Sequence, residues 1–179
     1  MNRFIVLAAL LACLGVPSSL EARGPKRYLN KESTADMSAM KTIFLGWVDM
    51  KPDDWKVHEY GSKEEWAAVI NTLNRAFQQD CATTRLSGRT VTAANDQADE
   101  NAAGQDLSIR FSDVRIDYNY YLLYLSIHFI DPKTKAEIAA IPVRGYYGNA
   151  WGFDGYLKAA LAEVGRKIQV EITGTAPAK

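Results

Sequence analysis

Apolar residues recur along this chain in two rhythms, every second residue or every third to fourth, and the rhythms succeed one another. Between Lys41 and Asp49, KTIFLGWVD, β-branched and aromatic residues with few charges mark a buried strand. A polar connection over 50–61 follows. At Ser62-Lys-Glu-Glu65 a hydroxyl precedes a carboxylate by three residues, the capping box that opens a helix. Trp66, Val69, Ile70, Leu73, Phe77 and Cys81 then fall at spacings of three and four, an apolar stripe for a core.

Thr90-Val-Thr-Ala-Ala94 reads as a short strand and 95–106 as a polar loop. Leu107, Ile109 and Phe111 alternate, and the phase then slips so that Val114 and Ile116 carry it on, which predicts a bulge near Ser112-Asp113. Asp117 to Tyr120 is a turn. The next strand puts Tyr121, Leu123, Leu125, Ile127 and Phe129 on one face and Tyr120, Leu122, Tyr124, Ser126 and His128 on the other. Asp131-Pro-Lys-Thr134 turns the chain into a third long strand over 136–147, where Pro142 calls for an edge or a bulge because it has no N–H to donate. Phe153, Tyr156, Leu157, Ala160, Leu161, Val164 and Ile168 return to helical spacing. That helix is expected as far as Lys167, with Ile168, Val170 and Ile172 open to a terminal strand instead.

The predicted fold class is α+β: an antiparallel sheet of about five strands with two helices packed on one face, in the order β-α-β-β-β-β-α. Residues 41–174 form the single domain, 23–40 a polar tether and 175–179 a tail.

Composition changes the picture at the amino terminus. Arg3 precedes the apolar run from Phe4 to Val16, and small residues lead to Ala22, the order of a secretory signal over 1–22. The run is shorter than the roughly 20 residues a membrane span takes. Leu10-Leu-Ala-Cys13 also resembles a lipobox, so Cys13 is either a lipid-attachment site or an apolar residue of the signal. Beyond the signal only Cys81 remains, and its place on the apolar stripe makes it a small buried hydrophobe rather than a reactive thiol. Lysine plus arginine and aspartate plus glutamate number 21 each, so charge gives no reason to expect nucleic acid or an anionic membrane surface as partner. Membrane contact is expected only through the lipid on Cys13.

Residues with chemical potential are few. His58 and His128 are far apart in sequence and do not make a metal set with Cys81, so no metal and no cofactor is expected. Asn95, Gln97, Asp99 and Asn101 alternate like calcium-loop ligands, but Glu100 and Asp106 stand where such a loop needs glycine and glutamate. Asp49, Asp53, Asp54 and Glu59 near Trp47 and Trp55 suit a glycosidase in residue type, because that chemistry needs one protonated and one ionised carboxyl beside an aromatic platform. No nucleophile elbow, phosphate loop or His-Glu-x-x-His pair is present, and no catalytic residue is assigned.

The segment Gln105 to Ile138, QDLSIRFSDVRIDYNYYLLYLSIHFIDPKTKAEI, resembles a broad group of small bacterial envelope proteins, many of them lipoproteins. It is similar in element order, over about 41–172, to the amino-terminal domain of TolB and to accessory lipoproteins of secretion, polysaccharide export and peptidoglycan synthesis. The resemblance implies an assembly or adaptor module without catalytic residues. The chain departs from that group in its lipobox and in the aromatic corner GYYGNAWGFDGY over 145–156. Phe153 and Tyr156 fit the helical stripe, whereas Trp151, Asn149 and one of Tyr146 and Tyr147 fit no interior period, which leaves packing and recognition both open there.

Two function classes follow. The first is a non-enzymatic exported protein, periplasmic or tied to the outer membrane, that binds an envelope protein or itself through Tyr120, Tyr124, His128, Tyr146, Tyr147, Asn149 and Trp151. The alternative is a periplasmic enzyme acting on a cell-wall glycan.

Overall fold

The computed structural model describes residues 28–29, 35–51, 62–117, 122–146 and 152–174. Six strands form one sheet: β1 (Tyr28–Leu29), β2 (Thr42–Leu45), β3 (Thr90–Ala93), β4 (Leu107–Asp117), β5 (Leu122–Ile130) and β6 (Glu137–Tyr146), in the spatial order β1-β6-β5-β4-β2-β3. Two helices, α1 (Lys63–Asp80) and α2 (Gly152–Thr173), share one apolar cluster with one face of that sheet. The α+β class is therefore as expected, and so is the element order from β2 onward; β1 is an additional strand.

The sheet is mixed, however. β4, β5 and β6 form the expected meander, but β2 runs parallel to both β3 and β4. Its cause is the intervening helix: α1 carries the chain back along the sheet, so the strand after it re-enters in the direction of the strand before it. The segment 23–40, expected as a tether, also contributes. Tyr28 and Leu29 pair with Ala140 and Ala139 of β6, and Met37 is buried in the core.

Helix α1 begins as its capping box dictates, with the Glu65 amide donating to Ser62 Oγ at 3.1 Å. Its stripe buries Trp66, Ile70, Leu73 and Phe77 and ends at Cys81, whose burial pushes the thiol up to about 12. The helix then loosens into a π-helical turn over Cys81–Arg85. Two polar side chains lie on the buried stripe. Asn74 Oδ1 accepts from the Val48 amide at 2.9 Å, and Asn74 Nδ2 donates to Val48 O at 3.0 Å and Ile70 O at 3.1 Å. Gln78 Nε2 donates to Ala94 O at 3.1 Å. Helix α2 runs through to Thr173 with Ile168 and Ile172 buried, so the terminal residues continue the helix rather than form a strand. Among the described residues no helix is long and apolar enough to cross a membrane.

Two bulges decide which side chains share a face. Between Ser112 and Arg115 the register of β4 slips against β5, with Asp113 in the left-handed region at φ 54°, as the phase slip predicts. A second slip lies between Phe129 and Ile130, where Ile130 pairs with Glu137 and Phe129 with Ala139. Ile138 is the extra residue, and it is buried beside Ala139. Because side chains alternate with period two, each slip transfers the residues beyond it to the opposite face. Arg115 and Glu137 thereby reach the face away from the helices.

Several carboxylates tie loops to strand ends. Asp106 Oδ2 accepts from the amides of Thr42 and Lys41, both at 3.0 Å, and these bonds hold its carboxyl below the usual range. Amides of Asn95 and Lys133 do the same for Asp99 and Asp131. A carboxyl depressed in the folded state stabilises above its unfolded value and loses that contribution as pH falls through its folded one. The denaturant midpoint is thus expected to hold down to about pH 4 and to fall progressively below it. Asp106→Asn should shrink the fall, and a midpoint unchanged between about pH 5 and 3 would contradict the assignment.

Candidate functional site

Strand β5 lies between β4 and β6 and sorts its residues cleanly. Leu123, Leu125, Ile127 and Phe129 are buried under the helices, while Tyr124, Ser126 and His128 are half-buried on the outer face. That outer face is covered at both ends. Leu122 is buried at one of them. At the other, Phe44, Ala94 and Ala102 make a second small cluster beneath the 95–106 loop. Arg110 clamps that loop, its Cζ 4.6 Å above the Phe44 ring and its Nη2 donating to Glu100 O at 2.6 Å. The open part is thus a strip along β5 rather than a whole bare face.

Directly opposite Tyr124 stand Arg115 on β4 and Arg144 on β6. Their Cζ atoms lie 4.6 Å and 5.7 Å from the Tyr124 ring centroid, so one aromatic ring is flanked by two guanidinium groups. Both arginines are exposed, and neither has a carboxylate partner among the described residues. Each guanidinium is a planar, always charged donor fork held beside the ring.

Four residues beyond Tyr124 on the same strand, His128 is held from both nitrogens. Nδ1 lies 3.1 Å from Glu137 Oε1 and Nε2 lies 2.8 Å from Ser112 Oγ. The order carboxylate, imidazole, hydroxyl is that of an activated nucleophile. Ser112 Oγ, however, also donates to Asp113 Oδ2 at 2.7 Å. With its single hydrogen given to Asp113, the hydroxyl faces His128 as an acceptor and not as a proton donor. In this arrangement the hydroxyl is a hydrogen-bond acceptor, and the group fixes the His128 ring on the face.

Ser112 and Asp113 also border an open cleft of about 740 Å³ whose walls include Trp47, Asp49, Arg110 and Lys135. Asp113 and Lys135, at φ 54° and 62°, are the two non-glycine residues with left-handed backbone among those described. Both lie at points where the strand register or direction changes. Asp49 in this cleft accepts from Gln97 Nε2 at 2.7 Å and pairs with Lys51 at 2.9 Å. In the adjoining loop Asp96, Asp99 and Asn101 turn their oxygens to the amides of Ala98, Asn95 and Ala103, the use that the calcium-like spacing serves here. Among the described residues no three His, Cys, Asp or Glu side chains come together as metal ligands.

Of the residues singled out for recognition, Tyr124 and His128 share the open strip. Tyr146 closes β6 opposite Leu122. Tyr120, Tyr147, Asn149 and Trp151 lie outside the described residues, as do Cys13, His58, Asp53, Asp54 and Glu59. Sequence reasoning missed Arg115, Arg144 and Glu137. The phase slip at Ser112-Asp113 was the signal that could have placed Arg115; Glu137 had none, because the bulge at Ile138 leaves no break in an already apolar run.

No protein-family model and no curated protein matches the sequence. Among solved structures, a chain of a PelC dodecamer from Paraburkholderia phytofirmans aligns over 78% of this chain and 91% of its own, at 14% identity and a TM-score of 0.34. A likeness of that size says nothing about this chain's partner or activity.

Proposed function

We propose that this chain is an exported envelope protein that works without catalysis, as a binding or assembly module, through the outer strip of its sheet. The observation that supports it most is the arrangement of Tyr124 between Arg115 and Arg144, half-buried and exposed respectively, on the face that the helices leave uncovered. A ring braced by two guanidinium groups loses little conformational freedom on contact, which is what a recognition residue needs. Export rests on the signal-like segment 1–22, with Cys13 as the lipid-attachment site if the lipobox is read. Tyr146, Tyr147, Asn149 and Trp151 would extend the surface from the end of β6.

The test uses the mature protein for size exclusion with light scattering, and the full chain for cross-linking in cells followed by mass spectrometry. Either self-association or one recurrent envelope partner is expected, reduced about tenfold or more by Tyr124→Ala combined with Arg115→Glu. Circular dichroism verifies that the variant is folded. Equal recovery of the same partner by the folded variant removes this surface from the proposal.

The glycan-enzyme reading keeps one observation in its favour: Trp47, Asp49 and Asp113 border the same cleft. Release of soluble fragments from purified peptidoglycan, abolished by Asp49→Asn, would favour it over the binding module.

A further inference from the structure

The open strip of the sheet has two ends of opposite charge. At the Tyr124 end stand Arg115 and Arg144, both exposed, and neither makes an ion pair among the described residues, Asp117 two positions further along β4 included. At the His128 end the balance is reversed. Glu137 meets His128 there at 3.1 Å, and the neighbouring cleft is lined by four carboxylates against three cations. The loop that walls this end, 95–102, carries Asp96, Asp99 and Glu100 and no lysine or arginine. Glu100 and Asp113 are exposed and make no ion pair among the described residues.

Within one chain the two ends do not neutralise each other. Tyr124 and His128 are four residues apart on β5, about 13 Å along the strand, which exceeds the screening length of about 8 Å at physiological salt. Between them the face is low. Ser112, Ser126 and Pro142 stand side by side on β4, β5 and β6 at the level midway between the tyrosine and the histidine, and all three are half-buried. Short side chains at that level leave room for rings arriving from outside on either side of it.

We propose that a second copy of this chain seats on the strip, related to the first by a two-fold axis that lies parallel to the sheet and crosses β5 at Ser126. This rests on the binding-module reading above and names the partner. Rotation about that axis reverses the strand direction and lays β4 on β4 and β6 on β6. Tyr124 of each copy meets His128 of the other, and Arg144 comes to the level of Glu137 of the second copy. Arg115 comes to the end of the second copy's β4 where the acidic loop stands. Arg110 at that level does not oppose it freely, because its guanidinium lies over Phe44 and donates to Ser108 Oγ and Glu100 O. A two-fold axis along β5 is disfavoured, since it sets Arg115 against Arg144 of the second copy, like charge against like. A second copy is favoured over an unrelated partner because one face carries both halves of the match.

The first probe is the mature protein with Ser126→Cys. A residue on a two-fold axis meets its own copy, so mild oxidation is expected to link the variant into a dimer. Cys81 is buried and does not compete. Lys63→Cys, exposed at the start of α1, is expected to link at least about tenfold more slowly. The second probe is sedimentation equilibrium, in which the dimer weakens as salt is raised. Arg115→Glu with Arg144→Glu is expected to weaken it about tenfold or more, and so is Glu100→Lys with Glu137→Lys. An equimolar mixture of these two variants should recover a one-to-one dimer, because each reversed end then finds its opposite. Circular dichroism verifies folding, and Glu100→Lys alone, an exposed change, replaces the second variant if that one is unfolded. The proposal is overturned if the wild-type protein stays monomeric, if Ser126→Cys links no faster than Lys63→Cys, or if the mixed variants stay apart. A monomer that still captures another envelope protein through Tyr124 and Arg115 leaves the binding surface standing and removes only the second copy; a monomer that captures none removes both.

Discussion

Asn74→Leu is expected to destabilise the fold by about 2–5 kcal/mol, although leucine at that place would complete the apolar stripe of α1. Asn74 is fully buried, and its amide bridges the helix to the chain just beyond β2. Leucine fits the space but leaves the Val48 N–H and C=O without partners in the core, each at about 1–3 kcal/mol. Asn71→Leu, one turn earlier and exposed, changes stability by no more than about 0.5 kcal/mol. Guanidinium unfolding followed by tryptophan fluorescence measures both. If the two variants unfold at the same midpoint, the bridge does not hold the segment after β2.

The second large effect contrasts neighbours on β5. Phe129→Ala should cost about 3–5 kcal/mol, because the ring is fully buried among the helices and its removal leaves a cavity. His128→Ala, one residue earlier, should cost less than about 1 kcal/mol, since Ser112 and Glu137 are partly exposed and regain water when the imidazole is lost. The ratio tests the assignment of the two faces directly. Similar losses for both variants would mean that the outer strip is core, and the recognition reading would fall with it.

Much of this was legible along the chain. The Ser62 capping box, the stripe from Trp66 to Cys81 and the phase slip at Ser112-Asp113 are local signals with local causes, and each has its counterpart in the structure. Parity alone places Tyr124 and His128 on the outer face, and they stand there. The parallel course of β2 was not legible, because apolar content marks a strand as buried without stating its neighbours or their direction. Nor was the coverage of the outer face at Phe44, which depends on a polar loop folding back under the grip of Arg110.

By itself, then, the sequence determined the kinds of element, their order and the side to which each apolar residue of β5 turns, because these follow from backbone period and from contacts a few residues apart. Tertiary structure alone decided the spatial order β1-β6-β5-β4-β2-β3, the transfer of Glu137 across the sheet at Ile138, and the meeting of Arg115, Tyr124 and Arg144 on three adjacent strands. Those depend on register between distant segments, which is set by the packing of the whole core and not by any short stretch of chain.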